Sequence, residues 1–468
     1  VQDQVREQLP LWQRSGPEIE KAGLRDAAAG ENKSLPVHRW VPWIAGFSAP
    51  FVEDVIAAYL PENSRERSLV LDPFTGVATT LVEALKAGCD VVGYEINAFA
   101  ALAARAKIDC VDVPPEGLSS EIEAFRTAML RFEAQVDLQY GEGGASALTS
   151  LLEELRESSP PGFKSRIPFF SPPVEAKFLY ALRRTAVLHE PDRALFRAAL
   201  GATMISYSNY SYEPSLGTRP GAGKPLIENA SVGYVVCAKL DEMRADVEWA
   251  QDHYGPTWRA RRRTVHHASY FDSTLAPETV SLVVTSPPYM NNYHYVRNTR
   301  PQLHWLDLLG DTTSMRQLEE VSFGKFWQTV RQGPPVRLAF DFPELDRVVE
   351  HLRAQSPVRG QYGGSGWASY VATYFNDSQR LFESLERQLR PDGHAVIVVG
   401  NSIIQGVEFR VDHLLAQMAE RLGLRVVDVQ IVRTKRVGNS IIDSAVRIGE
   451  AGHKQRTQLY DAAVILRK

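Results

Sequence analysis

The chain has 468 residues, which allows two or three domains or one domain with large insertions. Its 44% hydrophobic and 23% charged residues are ordinary for a soluble globular protein, and a net charge of −4 excludes wholesale coating of nucleic acid, leaving only local basic clusters to bind it. Three cysteines with no CxxC pair predict reduced thiols in a cytoplasmic protein, with no apolar run of membrane-spanning length, no signal-peptide pattern at Val1-Gln2-Asp3-Gln4 and no metal spacing among the histidines, so no metal is expected.

Residues 1–35 are polar and mixed and read as a helical arm followed by a loop. The stretch from Val37 to Ser48 is dense in aromatics and reads first as core, with the lining of an apolar cofactor arm as the second reading. A helix starts near Ser48-Ala49-Pro50, which supplies a serine cap and an early proline. Ser68–Leu71 is a strand that runs into Asp72-Pro73-Phe74-Thr75-Gly76-Val77-Ala78-Thr79-Thr80, and Leu81, Ala84 and Leu85 follow at helical spacing. Strand, glycine turn and helix make a nucleotide-binding unit, where backbone N–H groups at the helix start meet an anion. The hydroxyls of Thr79 and Thr80 are placed to cap the helix or to hold a carboxylate. A second strand, Asp90–Tyr94, ends in Glu95, where an acid can accept both hydroxyls of an unphosphorylated ribose. Asp72 at the strand tip would repel a pyrophosphate and attract an ammonium group. A ligand with ribose, ammonium and carboxylate is S-adenosylmethionine (SAM).

Residues 112–262 interrupt the sheet. Leu118–Val136 and Ala147–Arg156 have helical spacing, broken by Gly141 to Gly144. Ser171-Pro172-Pro173 reads as a helix start, and Asp192–Ser206 as an amphipathic helix. The loop Gly217–Pro225 carries Arg219 and Lys224 beside aromatic and hydroxyl residues; it crosses a nucleic-acid backbone or is an exposed connection. Arg259, Arg261, Arg262 and Arg263 form the strongest basic cluster and read as phosphate contacts in preference to a solvated helix end.

Val280–Val284 is a buried strand that ends in Thr285-Ser286-Pro287-Pro288-Tyr289, at the edge where open α/β sheets bind ligands. The prolines turn carbonyls outward as acceptors, Ser286 adds a hydroxyl and Tyr289 a flat face. Such a set can hold a planar exocyclic amine while a ring stacks on the base that carries it. Tyr293, Tyr295 and Arg297 follow and can shape the mouth of that pocket. Residues 310–367 read as loop-rich, with Gly360–Gly366 a mobile segment. Helix Tyr370–Leu389, strand Ala395–Val399, helix Val411–Leu422 and strands Leu424–Val432 and Leu459–Leu466 complete the alternation.

Asp72–Thr80, Gly93-Tyr94-Glu95-Ile96-Asn97 and Ser286–Tyr289 together resemble the amino-methylating DNA methyltransferases, which modify cytosine N4 or adenine N6. Leu389–Gly400 looks like the helix-turn-strand that follows the catalytic strand in that family. The likeness covers roughly residues 37–110 and 263–468. It departs from the family at Ala78, where a second glycine is usual, and at Ser269, where an acid usually holds the adenine amine; Asp272 is the candidate substitute. The resemblance implies a class I SAM-methyltransferase fold: an α/β, Rossmann-like, mostly parallel seven-stranded sheet with a helical insertion. Its parts are a SAM-binding half at 1–111, an insertion at 112–262 that is the candidate for target recognition, and a catalytic half at 263–468. SAM is the implied cofactor, on Asp72, Phe74, Thr75, Gly76, Ala78, Thr79, Thr80, Glu95, Ile96, Asn97 and Ser269. Ser286, Pro287, Pro288 and Tyr289 are the implied catalytic residues, acting on a base flipped from duplex DNA. Arg219, Lys224, Arg261, Arg262, Arg263 and Arg297 are the candidate DNA contacts. A serine at the first motif position favours cytosine N4 over adenine N6, and no cysteine nucleophile for ring-carbon methylation follows a proline near this strand. RNA amine methylation and a non-catalytic SAM- or DNA-binding regulator are the rival readings, and a restriction or defence partner protein is left open.

Overall fold

Seven segments build the central sheet: β1 (Leu69–Asp72), β2 (Asp90–Tyr94), β3 (Arg263–His266), β4 (Val280–Thr285), β5 (Leu389–Gly400), β6 (Arg425–Lys435) and β7 (Leu459–Arg467). The computed structural model describes residues 23–43, 46–157, 165–212, 215–291, 293, 295–309, 315–331, 333–354, 366–404, 407–435 and 459–468. Most of the expected N-terminal arm and residues 360–365 of the expected mobile segment lie outside these. The strands run in the order β6-β7-β5-β4-β1-β2-β3. All neighbours are parallel except β7, which is antiparallel to both β5 and β6.

Every residue of β4 is buried, as a strand covered on both faces requires. Alternate side chains feed two cores. Val70, Leu282, Val284, Val396, Val398 and Ala463 point to one, and Leu71, Val283, Ile397, Val399 and Val464 to the other. On the first face lie α1 (Ala49–Tyr59), α2 (Thr79–Lys86), α3 (Ala98–Ile108) and the helices of the interruption: α4 (Pro115–Ala147), α5 (Thr149–Glu157), α6 (Pro172–Ala186), α7 (Asp192–Thr203) and α8 (Val232–Arg259). The second face is covered by α9 (Pro343–Ala354), α10 (Gly366–Gln388) and α11 (Val411–Arg421).

Local chemistry sets the helix ends. Ser48 caps α1 by accepting from the Phe51 N–H at 3.1 Å, and Ser171 stands before α6 with prolines in its first turn. Gly144, at φ 63°, kinks α4 where the glycine run predicts a break. Helix α8 has no counterpart among the predicted elements, although Val232, Val236, Leu240, Met243 and Val247 recur at helical spacing and are all buried. The stretch 310–367, expected to be loop, contains α9 and short helices at Met315–Val321 and Trp327–Val330. In α9 the apolar residues Leu345, Val349 and Leu352 recur at helical spacing and are buried, a period the loop-rich reading passed over, whereas the two short helices offer too few apolar positions to show one. Among the described residues no helix is long and apolar enough to cross a membrane, and all three cysteines are buried and free.

Candidate active site

The β1–α2 turn is drawn tightly against β2. The Thr75 N–H donates to the Tyr94 carbonyl at 3.0 Å, and the Thr75 hydroxyl to the Asp72 carbonyl at 2.9 Å. Gly93 permits this, since a Cβ there would collide with Thr75 Oγ1. Gly76 has φ +52°, and an added Cβ would lie 3.0 Å from Trp43 Nε1. Ala78, at the position where the family has glycine, also takes a left-handed conformation (φ 70°), a geometry that favours glycine.

These residues divide into a wall and a foundation. Phe74, Gly76, Glu95, Ile96, Asn97 and Ser269 line a cavity of about 300 Å³ at the carboxyl ends of the strands. Thr75, Ala78, Thr79 and Thr80 are buried behind it, and the Thr80 hydroxyl donates to the Val284 carbonyl at 3.0 Å in place of capping α2. Asp72, expected at the strand tip as the partner of an ammonium group, is also buried behind the wall. Only 1% exposed, its Oδ1 accepts from Thr285 Oγ1 at 2.6 Å and from the Phe74 N–H at 3.0 Å, and burial raises its carboxyl to about 6. It ties the ends of β1 and β4 together.

Glu95 does face the cavity. Its two oxygens accept from the N–H groups of Gly76 at 2.9 Å and Asn97 at 2.7 Å, and loss of hydration raises the carboxyl to about 7. Asn97 caps α3 through Phe99 and Ala100, and its amide donates to Thr299 Oγ1 at 2.6 Å. Ser269 caps the turn Tyr270–Asp272, and Asp272 is exposed and off the cavity wall, so it does not replace the missing acid.

Ser286, Pro287, Pro288 and Tyr289 line the same cavity from the end of β4. The Ser286 hydroxyl donates to the Val398 carbonyl of β5 at 3.1 Å. With its proton committed there, its lone pairs remain to accept. Tyr289 packs against Gly400, where a Cβ would stand 3.1 Å from the ring. Thr285, between Ser286 and its bond to Asp72, links this motif rigidly to the β1 turn.

Trp43 comes from the aromatic stretch whose second reading is a cofactor lining, whereas Phe323, Lys325, Arg433 and Asp461 escaped the sequence reading. Trp43 stands over Gly76; Phe323 packs edge-on against Phe74 with ring centres 5.1 Å apart; Lys325, Arg433 and Asp461 also line the cavity. Phe323 and Lys325 flank Gly324, which has φ +66° and is a sequence sign of a turn there. Nothing in sequence brings 323, 433 and 461 to one place.

The candidate DNA contacts separate. Arg219 donates to the Pro225 carbonyl at 2.7 Å within its own loop, where Lys224 is exposed. The adjoining hairpin, Tyr210–Tyr212 with Leu216–Thr218, is fastened to the segment after Tyr289: Tyr212 Oη donates to the Asn298 carbonyl at 2.7 Å, and the Leu216 N–H to Asn298 Oδ1 at 3.0 Å. Arg297, exposed next to Asn298, is therefore on the same side. Arg261–Arg263 instead lie at the amino end of β3, the opposite end of the sheet from the cavity. Arg261 donates to the Glu66 carbonyl at 2.9 Å, Arg262 pairs with Asp90 at 2.7 Å, and Arg263 with Asp109 at 3.0 Å and with Asp112. The three arginines of the expected phosphate cluster each have partners within the chain, and the Arg262 side chain stays 87% exposed.

The strand order with β7 reversed, the glycine turn after β1 and the acid ending β2 define a class I methyltransferase core, Rossmann-like and mostly parallel. Across 435 residues, 87% of this chain and 82% of the other, it is 22% identical to the type II methyltransferase M.BsoBI of Geobacillus stearothermophilus. No protein-family model and no solved structure matches it. The cavity wall suits SAM: Glu95 offers carboxylate oxygens to a ribose diol, and Ile96 and Phe271 offer apolar surface to a purine.

Proposed function

We propose that the protein is a DNA methyltransferase that moves a methyl group from SAM to the exocyclic amine of a base flipped out of the duplex, with cytosine N4 as the target. The observation that carries this is the shared cavity, lined at one end by Glu95 and at the other by Ser286–Tyr289. Similarity to a type II methyltransferase supports methyl transfer, and the paired motifs support DNA as the substrate. SAM supplies an electrophilic methyl group. The chain's own residues hold the amine, whose lone pair is otherwise delocalised into the base. Ser286 Oγ and the Pro287 carbonyl accept its two hydrogens and favour pyramidalisation, which frees the lone pair for in-line attack. Tyr289 stacks on the flipped base.

Because the Ser286 proton goes to Val398, a hydrogen bond from Ser286 to a ring nitrogen of the base does not separate cytosine from adenine. The cytosine reading rests on serine at the first motif position and on the aromatic wall of Tyr289 and Tyr293. Transfer of labelled methyl groups to DNA, to RNA and to neither, followed by nucleoside mass spectrometry, tests it. N4-methylcytosine from DNA is the expected product. N6-methyladenine alone replaces the base but keeps the mechanism, labelling of RNA alone replaces the substrate, and no transfer to either supports a non-catalytic regulator.

A further inference from the structure

The carboxyl edge of the sheet places a second pair of polar residues beside the catalytic motif. In the antiparallel pairing Asp461 stands opposite Gly400, and Arg433 stands opposite Asp461. A register shift between Ile431 and Arg433 sets that last pairing. Bulges of this kind re-aim side chains at sheet edges next to functional sites. Gly400, Asp461 and Arg433 thus form a row across three neighbouring strands, spanning about 10 Å at ordinary strand spacing. An arginine side chain can cross most of that distance. The row begins at the motif, since a Cβ on Gly400 would meet both Tyr289 Cδ2 at 3.1 Å and Asp461 Oδ1 at 3.0 Å.

Asp461 is 3% exposed, and its Oδ2 lies 4.0 Å from Arg433 Nη1, whose side chain is 42% exposed. Both line the cavity that holds Ser286 and Tyr289. A buried carboxylate thus stands beside a guanidinium that lines the cavity, close enough to hold it at that wall. Arginine only donates, in a planar fork suited to two adjacent acceptors. Cytosine, its amine held at Ser286, presents N3 and O2 as two such acceptors along the same edge. Adenine presents N1 and then a carbon-bound hydrogen.

We propose that Arg433, positioned by Asp461, reads the N3 and O2 edge of the flipped cytosine and so sets the choice of base. This rests on the amino-methyltransferase reading above and deepens it.

Wild type, Arg433→Ala, Arg433→Lys and Asp461→Asn proteins are compared after thermal unfolding confirms that each is folded. They are given unmethylated genomic DNA and labelled SAM, and the products are digested to nucleosides and weighed. Arg433→Ala is expected to lower N4-methylcytosine formation about ten- to a hundredfold, as loss of a charged bidentate contact implies, with SAM affinity unchanged. Arg433→Lys recovers part of the rate, and Asp461→Asn falls between. Binding is then measured on duplexes carrying the site found by sequencing the wild-type product, with the target position either cytosine or abasic. Wild type should prefer the cytosine duplex, and Arg433→Ala should lose the preference. Equal weakening on both duplexes marks a phosphate contact and overturns base reading, as does wild-type turnover in Arg433→Ala. A wild type that makes only N6-methyladenine also overturns it. A wild type that methylates no DNA removes the functional reading itself, an outcome visible before any variant is made.

Discussion

At the residue scale, Ser286, Asp72 and Glu95 have separable roles. Under the proposed mechanism, Ser286→Ala should keep the fold and SAM affinity but remove an acceptor for the amine. A loss of about 1–3 kcal/mol of barrier lowering, roughly ten- to a hundredfold in kcat, is expected from single-turnover kinetics. Asp72→Ala acts on stability first, because it strips a buried acceptor from Thr285 and Phe74. About 2–4 kcal/mol should be lost in denaturant unfolding. Unchanged stability would mean that Asp72 is not the tie between β1 and β4. Glu95, raised to about 7, gives a pH signature. A carboxyl whose folded pKa lies above its unfolded value stabilises the fold at low pH, and that contribution fades as pH rises toward 7. Ligand binding runs the other way, because ribose hydroxyls need the ionised form. SAM affinity is expected to strengthen from pH 6 to pH 8, and a pH-independent affinity by calorimetry would remove Glu95 from the ribose site.

At the scale of elements, the β1 turn and the end of β4 work as one unit through Thr285–Asp72 and Thr80–Val284. The basic segment before β3 is a different kind of element. Pairing with Asp90, Asp109 and Asp112 makes it an edge-strand anchor. Replacing Arg261, Arg262 and Arg263 with alanine should leave the salt dependence of DNA binding unchanged, since no phosphate contact is lost. Stability should fall by about 1–2 kcal/mol, mainly through Arg263, whose side chain is 13% exposed. A flatter salt slope would restore the segment as a DNA contact.

For the whole molecule, helices α4–α8 complete one face of the sheet and share its apolar core with α1–α3. Deleting 112–262 should therefore abolish soluble folding, because Val82, Leu85 and Ala104 would meet water in place of their helical cover. Recovery of a folded, SAM-binding remainder, read by circular dichroism and calorimetry, would show a separable domain instead. The hairpin of this region reaches Asn298 beside the cavity mouth, which gives the insertion a route to the target side.

The sequence by itself determined most of the strands and the motifs that end them. Short continuous apolar runs, the glycine turn, Glu95 and Ser286–Tyr289 are local signals, each set by a few adjacent residues whose backbone chemistry has few alternatives. Helix α8 was missed, although its apolar spacing carries a signal of the same kind. Only the tertiary structure decided which polar groups face the cavity and which are consumed in the fold. Asp72 and Arg263 look like ligand contacts in isolation, and partners 213 and 154 positions away turn them inward. Arg433, Asp461 and Phe323 show the converse, ordinary residues brought to the wall by strand pairing and by packing on α10. A charged side chain's role is fixed by what surrounds it, and for these residues the surroundings come from distant parts of the chain.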